Sequence, residues 1–341
     1  MRISLQEDLN HNTMKLTRNF AFIIVALIFY QSALPQSGTE QPEKKKYPDV
    51  EIGGLVQPVW NYDFRAGQLP NNEFILKRTR AGLEVKITKN LDAEIEVDLT
   101  DVELIKDAKF DFELNQFVRI SAGKRKIPFS RERLTSVKKL IFIDRAKVVK
   151  EIEDIGYAGR DIGVNVEWLF YTSKTFEVQF LGGAYNGTAG SLKGDFNNSK
   201  NFAQRLEINY LKNFSFGVNS SQRLDSITAK YFVANGVDFF LKPFKNLYLD
   251  GEALIGKRQS GKLSGGGYLT TEYELGDFLL GFRFEKYYKD TNTNIDSRNI
   301  ITAKFEWNPN KHMRVQMNLV NTNEFGLQSY YEFLLSTQVS F

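Results

Sequence analysis

From residue 51 onward the chain alternates. In its last stretch, residues 330–341, Tyr331, Phe333, Leu335, Thr337, Val339 and Phe341 fall on one side, and Tyr330, Glu332, Leu334, Ser336, Gln338 and Ser340 on the other. Successive side chains of a strand point to opposite faces, so this segment presents one mostly apolar and one mostly polar face, with Leu334 off the pattern. Ala93, Ile95, Val97 and Leu99 alternate in the same way with Asp92, Glu94, Glu96 and Asp98, as do Met313, Val315, Met317 and Leu319 with Arg314, Gln316 and Asn318. Sixteen segments of this kind follow one another from 51–60 to 330–341, most of them nine to twelve residues long. Strands of soluble sheets average about five or six residues, whereas a tilted strand crossing a bilayer needs about 9 to 11.

The connections sharpen the reading. Lys89-Asn90, Asn115-Gln116, Thr172 to Lys174, Lys212-Asn213, Pro243 to Lys245, Gly276 and Asn308 to Lys311 each make a tight turn after every second strand. The intervening connections are mostly long, above all 127–159. Short turns on one side and long loops on the other predict an all-β fold, a 16-stranded antiparallel transmembrane β-barrel with short periplasmic turns and a long third outer loop folded inward. Closure removes the unpaired edge and satisfies every backbone group within lipid, so a chain can span a bilayer without a helix. Trp60, Trp168 and Trp307 stand at or near strand ends, where an interfacial aromatic girdle belongs. A terminal aromatic such as Phe341 resembles the signal by which barrels reach their outer-membrane assembly machinery.

Residues 1–36 read as a secretory signal peptide. Lys15 and Arg18 precede an apolar run from Phe20 to Tyr30, which is too short for the roughly 20 residues of a spanning helix. Met14 is a candidate initiator, cleavage falls between Ala33 and Ser37, and a retained anchor helix is the alternative. Residues 37–49, polar and proline-containing, form a flexible periplasmic lead-in, and the barrel occupies 50–341. The expected location is the outer membrane of a Gram-negative bacterium, among lipid and lipopolysaccharide.

Cysteine is absent and the histidines are His11 and His312, which removes disulfides, thiol nucleophiles and zinc sites of the usual kinds. No metal, cofactor or nucleic-acid partner is expected. Charge is concentrated instead: residues 122–150 hold ten basic side chains against Glu132 and Asp144. Lys124, Arg125, Lys126, Arg131, Arg133, Lys138, Lys139 and Arg145 from this stretch, with Arg80, Arg119, Arg205 and Arg283 at inward parity on the strands, are the candidate anion-attracting residues of a pore. The apolar pieces Ile127-Pro128-Phe129 and Leu140 to Ile143 favour a loop folded against the inner wall, where its cations narrow and filter a water channel. The alternative is a set of solvated outer charges facing lipopolysaccharide phosphates. Glu84, Asp92, Glu94, Glu96, Asp98, Asp111 and Glu113 share the inward parity, which argues for modest selectivity.

Several stretches carry a resemblance. "FILKRTRAGLEVKITKNL" at 74–91, "VRISAGKRKIPFSRERLTS" at 118–136, "FIDRAKV" at 142–148, "GRDIGVNV" at 159–166, "GGAYNGT" at 182–188 and "FEWNPNKHMRVQMNLVNT" at 305–322 resemble, in order and spacing, the phosphate-selective porins O and P. The resemblance implies a sixteen-stranded barrel, often a homotrimer, whose third outer loop enters the channel and whose cations conduct small anions such as phosphate. The family's ladder of inward arginines is not matched position by position, so phosphate specificity does not carry over. The competing classes are a receptor or structural barrel that does not conduct, a soluble sandwich of hairpins, and an enzymatic barrel. The last would need His312 as its base, and that residue lies beside a periplasmic turn rather than at the outer rim.

Overall fold

The computed structural model describes residues 46–188, 191–192, 200–225 and 230–341. The leader and nearly all of the lead-in lie outside them. Sixteen strands run from β1 (Asp49–Asp63) and β2 (Asn72–Thr88) through β3 (Leu91–Asp98), β4 (Ile105–Asn115), β5 (Val118–Lys126), β6 (Arg160–Thr172), β7 (Phe176–Tyr185) and β8 (Asn201–Tyr210). They continue as β9 (Phe214–Asp225), β10 (Lys230–Phe244), β11 (Leu247–Lys257), β12 (Leu263–Leu275), β13 (Phe278–Tyr288), β14 (Arg298–Asn310), β15 (Met313–Glu324) and β16 (Tyr330–Ser340). Each pairs antiparallel with its sequence neighbours, and β1 pairs with β16, closing the barrel. Gly276, with φ of 63°, sits in one of the tight turns, a backbone region that favours glycine.

The faces follow the alternation. Phe278, Leu280, Phe282, Phe284, Phe305, Trp307, Met317 and Leu319 are exposed, while Arg283, Lys304, Glu306, Gln316, Asn318 and Gln338 are buried. This inverts the rule for soluble proteins, in which charged side chains are seldom buried and large apolar patches are seldom exposed. It fits a shell facing hydrocarbon around a polar lumen. No helix among the described residues is long and apolar enough to cross a membrane.

The first connection is shorter than the alternation suggests, because β1 extends to Asp63 and β2 begins at Asn72. By contrast β3 has 8 residues and β5 has 9, so the wall is low there. From that low wall the connection 127–159 departs, carrying α1 (Arg131–Leu134), a 3-10 turn (Val137–Lys139) and α2 (Lys147–Asp154).

Candidate functional site

The 127–159 connection lies inside the barrel, and wall side chains hold it there. Glu252 of β11 accepts from Ser130 Oγ and from Arg131 N, both at 2.9 Å, and so caps the open end of α1. Glu285 of β13 accepts from Lys147 N at 2.5 Å, at the open end of α2. Between the helices the loop is gripped by its carbonyls. Arg314 of β15 donates to Lys138 O at 3.1 Å and Leu140 O at 2.9 Å, and Gln316 to Ile141 O at 2.5 Å. Gln338 of β16 reaches Lys138 O at 3.3 Å, and Arg78 of β2 reaches Ile143 O at 3.2 Å.

Apolar packing completes the attachment. Phe129, Val148, Val149 and Ile152 of the loop are buried among Tyr185, Phe232, Leu254, Tyr268 and Tyr287 of the wall. Val137 and Leu140 meet Leu55, and Ile143 meets Val59 and Leu334. Side chains of this size contribute about 1.5–3 kcal/mol each when fully buried. Leu334, off the alternation of its strand, is thereby accounted for.

Most of the candidate cations are matched to carboxylates. Arg80 pairs with Glu96 and Asp98, both at 2.8 Å, Arg119 with Glu113 at 2.6 Å, and Arg125 with Glu167 at 3.0 Å. Arg133 pairs with Glu153, and Arg283 with Glu285 at 2.7 Å and Glu132 at 3.2 Å. Arg205, 1% exposed, is clamped by Asp238 at 2.5 Å and Glu207 at 2.6 Å. Its guanidinium lies where a Cβ on Gly217 would stand, so glycine makes that clamp sterically feasible. Lys124 is bound to Glu103 of the β3–β4 connection at 3.0 Å and is 2% exposed. Arg131 bonds Ser215 at 3.1 Å and stands 4.0 Å from Asp238 and Asp250. Lys138 donates to Phe341 O at 3.3 Å, and Lys139 is exposed with no ion pair among the described residues.

A different group remains. Lys126 donates to Leu134 O at 2.8 Å and Thr135 O at 3.2 Å, and Arg145 to Thr135 O at 2.9 Å and Glu132 O at 3.2 Å. Arg78, 9% exposed, bonds the Gln57 amide and Ile143 O. None of the three forms an ion pair among the described residues; their hydrogens go to neutral oxygens, and the carboxylates that act on them, Asp144 on Arg78, Glu132 on Arg145 and Asp107 on Lys126, stand beyond pairing distance. Burial, with Arg133 alongside, pulls the Arg145 guanidinium below its ordinary value. Asp144 is held well below the usual carboxylate range; burial opposes this, but Lys150 at 2.5 Å and Lys77 at 2.8 Å outweigh it. Arg78 shares the parity of Arg80 and is therefore accessible to sequence reasoning. Arg160 is not: it opens β6, and its 2.7 Å bond to Asp107 spans 53 residues.

Residues 50–226 match the family model described as phosphate-selective porin O and P. The chain belongs to this family. Its members are channels, and this porin is an outer-membrane barrel of that kind. No match was found among curated proteins. Among solved structures, the porin is similar to the outer membrane channel DcaP of Acinetobacter baumannii, with TM-score 0.61 and 15% identity over 88% of this chain and 99% of that one. It is also similar to an anion-selective porin from Comamonas acidovorans, with TM-score 0.60 and 11% identity over 86% and 99%. The trimer form of OmpT, an outer membrane protein of Vibrio cholerae, gives TM-score 0.59 and 10% identity over 87% and 100%.

Proposed function

We propose that this porin passes small anions passively across the outer membrane of a Gram-negative bacterium, through a constriction formed by the 127–159 loop. The observation that carries the reading is the cluster of Arg78, Lys126 and Arg145, whose hydrogens go to neutral oxygens and which form no ion pair among the described residues. In a narrow lumen of low dielectric, such a focus raises the local concentration of anions. Most of the remaining candidate cations are balanced by carboxylates, so the preference for anions is modest, with phosphate one solute among several. Family membership and the trimeric OmpT relative support a homotrimer set among lipid and lipopolysaccharide. The N-terminal leader and the assembly machinery of the outer membrane complete the expected route of export.

The test is the reversal potential of the refolded protein in a planar bilayer under a salt gradient. Anion preference is expected, falling toward neutrality in the double variant Arg78→Gln/Arg145→Gln. An unchanged reversal potential in the correctly folded variant would remove these residues from the filter. Addition of phosphate to chloride distinguishes a specific site, which blocks current at low concentration, from general passage. The apolar packing of the loop against β10 to β13 favours a second reading, a filled barrel that serves as a receptor. Absence of conductance from a folded barrel would select it.

A further inference from the structure

The strand register brings like charges together toward the periplasmic end. Glu51 of β1 stands directly opposite Glu84 of β2, and Glu84 directly opposite Glu94 of β3. Like charges facing one another across a sheet are destabilising, so packing alone would not select such a row. Lys86 reaches Glu51 at 3.2 Å and Lys109 reaches Glu94 at 3.0 Å, while Glu84 between them makes no ion pair among the described residues. The three glutamates and Glu96 line a hollow of about 310 Å³ together with two cations, Arg80, which is paired to Glu96, and Lys138, so carboxylates outnumber cations there by four to two.

The cations without ion pairs lie at a different height. Six residues separate Arg78 from Glu84 along β2, about 20 Å of strand and about 15 Å of barrel axis at a tilt of about 40°. An ion following this wall meets a zone holding cations without ion pairs and then one lined by excess carboxylate. Mobile anions gather in the first zone and mobile cations in the second.

We propose that this arrangement makes the channel an ionic rectifier, conducting more current when the periplasmic side is positive. At that polarity anions move inward from the cationic zone and cations move outward from the carboxylate zone. Both carriers enter the passage between the zones, and its conductivity rises. The opposite polarity draws both away and depletes it. The inference rests on the channel reading above and adds a directional property to it.

The experiment is a current–voltage curve from single channels of known orientation. The chain has no cysteine, so Lys89→Cys in the turn after β2 gives one thiol whose reaction with an impermeant reagent reports which side is periplasmic. In about 0.01 M salt, where the screening length is about 30 Å and exceeds the separation of the zones, the current ratio at about ±100 mV is expected to be about two, larger with the periplasmic side positive. In about 1 M salt the screening length falls to about 3 Å and the ratio should approach one. The triple variant Glu51→Gln/Glu84→Gln/Glu94→Gln should also bring it toward one while anion preference increases. If that variant fails to assemble, Glu84→Gln alone, which breaks no ion pair, should lower the ratio. A linear curve at low salt, or rectification of the opposite sign, would overturn the inference and leave the channel intact. No current at either polarity would remove both.

Discussion

Replacing Glu252 by alanine should release the loop without dismantling the barrel. The carboxylate accepts from Ser130 Oγ and Arg131 N at 2.9 Å and from Glu132 N at 3.4 Å, and it is 4% exposed. A buried donor left without a partner costs about 1–3 kcal/mol, and two well-placed donors lose theirs. Removing a buried carboxylate also removes its desolvation cost, which returns part of that loss. The balance is about 2–4 kcal/mol against the docked loop, or on the order of 30- to 1000-fold in its opening equilibrium at about 1.4 kcal/mol per factor of ten. Val149 of α2 is 0% exposed, and the chain has no cysteine, so Val149→Cys gives a single thiol that reacts only when the loop opens. Its labelling rate, compared with and without Glu252→Ala, reads the shift directly. Glu252→Gln, which keeps one accepting oxygen, should fall between the two. Labelling of the alanine variant within about two-fold of the reference, against the 30-fold minimum derived from the lost donors, would refute the view that this carboxylate fastens the loop.

Three further outcomes are expected. Phe282 is on the exposed face in the middle of β13, so Phe282→Arg should cost about 2–4 kcal/mol and impair assembly, read as lost heat-modifiable mobility on a gel. Its neighbour Arg283 binds Glu132 and Asp144 O of the loop, so Arg283→Gln should leave assembly intact while raising the labelling rate of Val149→Cys. A Cβ on Gly54 would stand 2.3 Å from the Phe341 ring, so Gly54→Val should expel that ring and lower the thermal unfolding midpoint, at a cost of about 1–3 kcal/mol.

The strands and the limits of the 127–159 loop were legible because their signals are local: alternation within a segment, and turn residues between segments. The upper ends of β1 and β2 run beyond the expected limits, although Asn61 and Asp63 continue the alternation with Trp60 and Tyr62, because the segment that follows, from Phe64 to Asn71, carries no such pattern to mark where the strand stops. Inward parity also identified Arg80, Arg205 and Arg283. What parity cannot give is the partner. Glu252 meets Arg131 across 121 positions and Arg205 meets Asp238 across 33, so which charges cancel depends on where the loop crosses the lumen. Lys124 and Lys126 look equivalent in the sequence, yet one has Glu103 and the other only carbonyl oxygens.

The wall grips the middle of the loop at carbonyl oxygens, atoms that every amino acid supplies alike. The course of residues 138–143 is thus held largely apart from the side chains displayed along it. Lys139 and Ile141 contribute no side chain to those holding bonds. Evolution, or a designer, can exchange the groups at these two positions while the scaffold keeps the segment on its path, so the surface this segment displays can be rewritten by point changes without rebuilding the barrel.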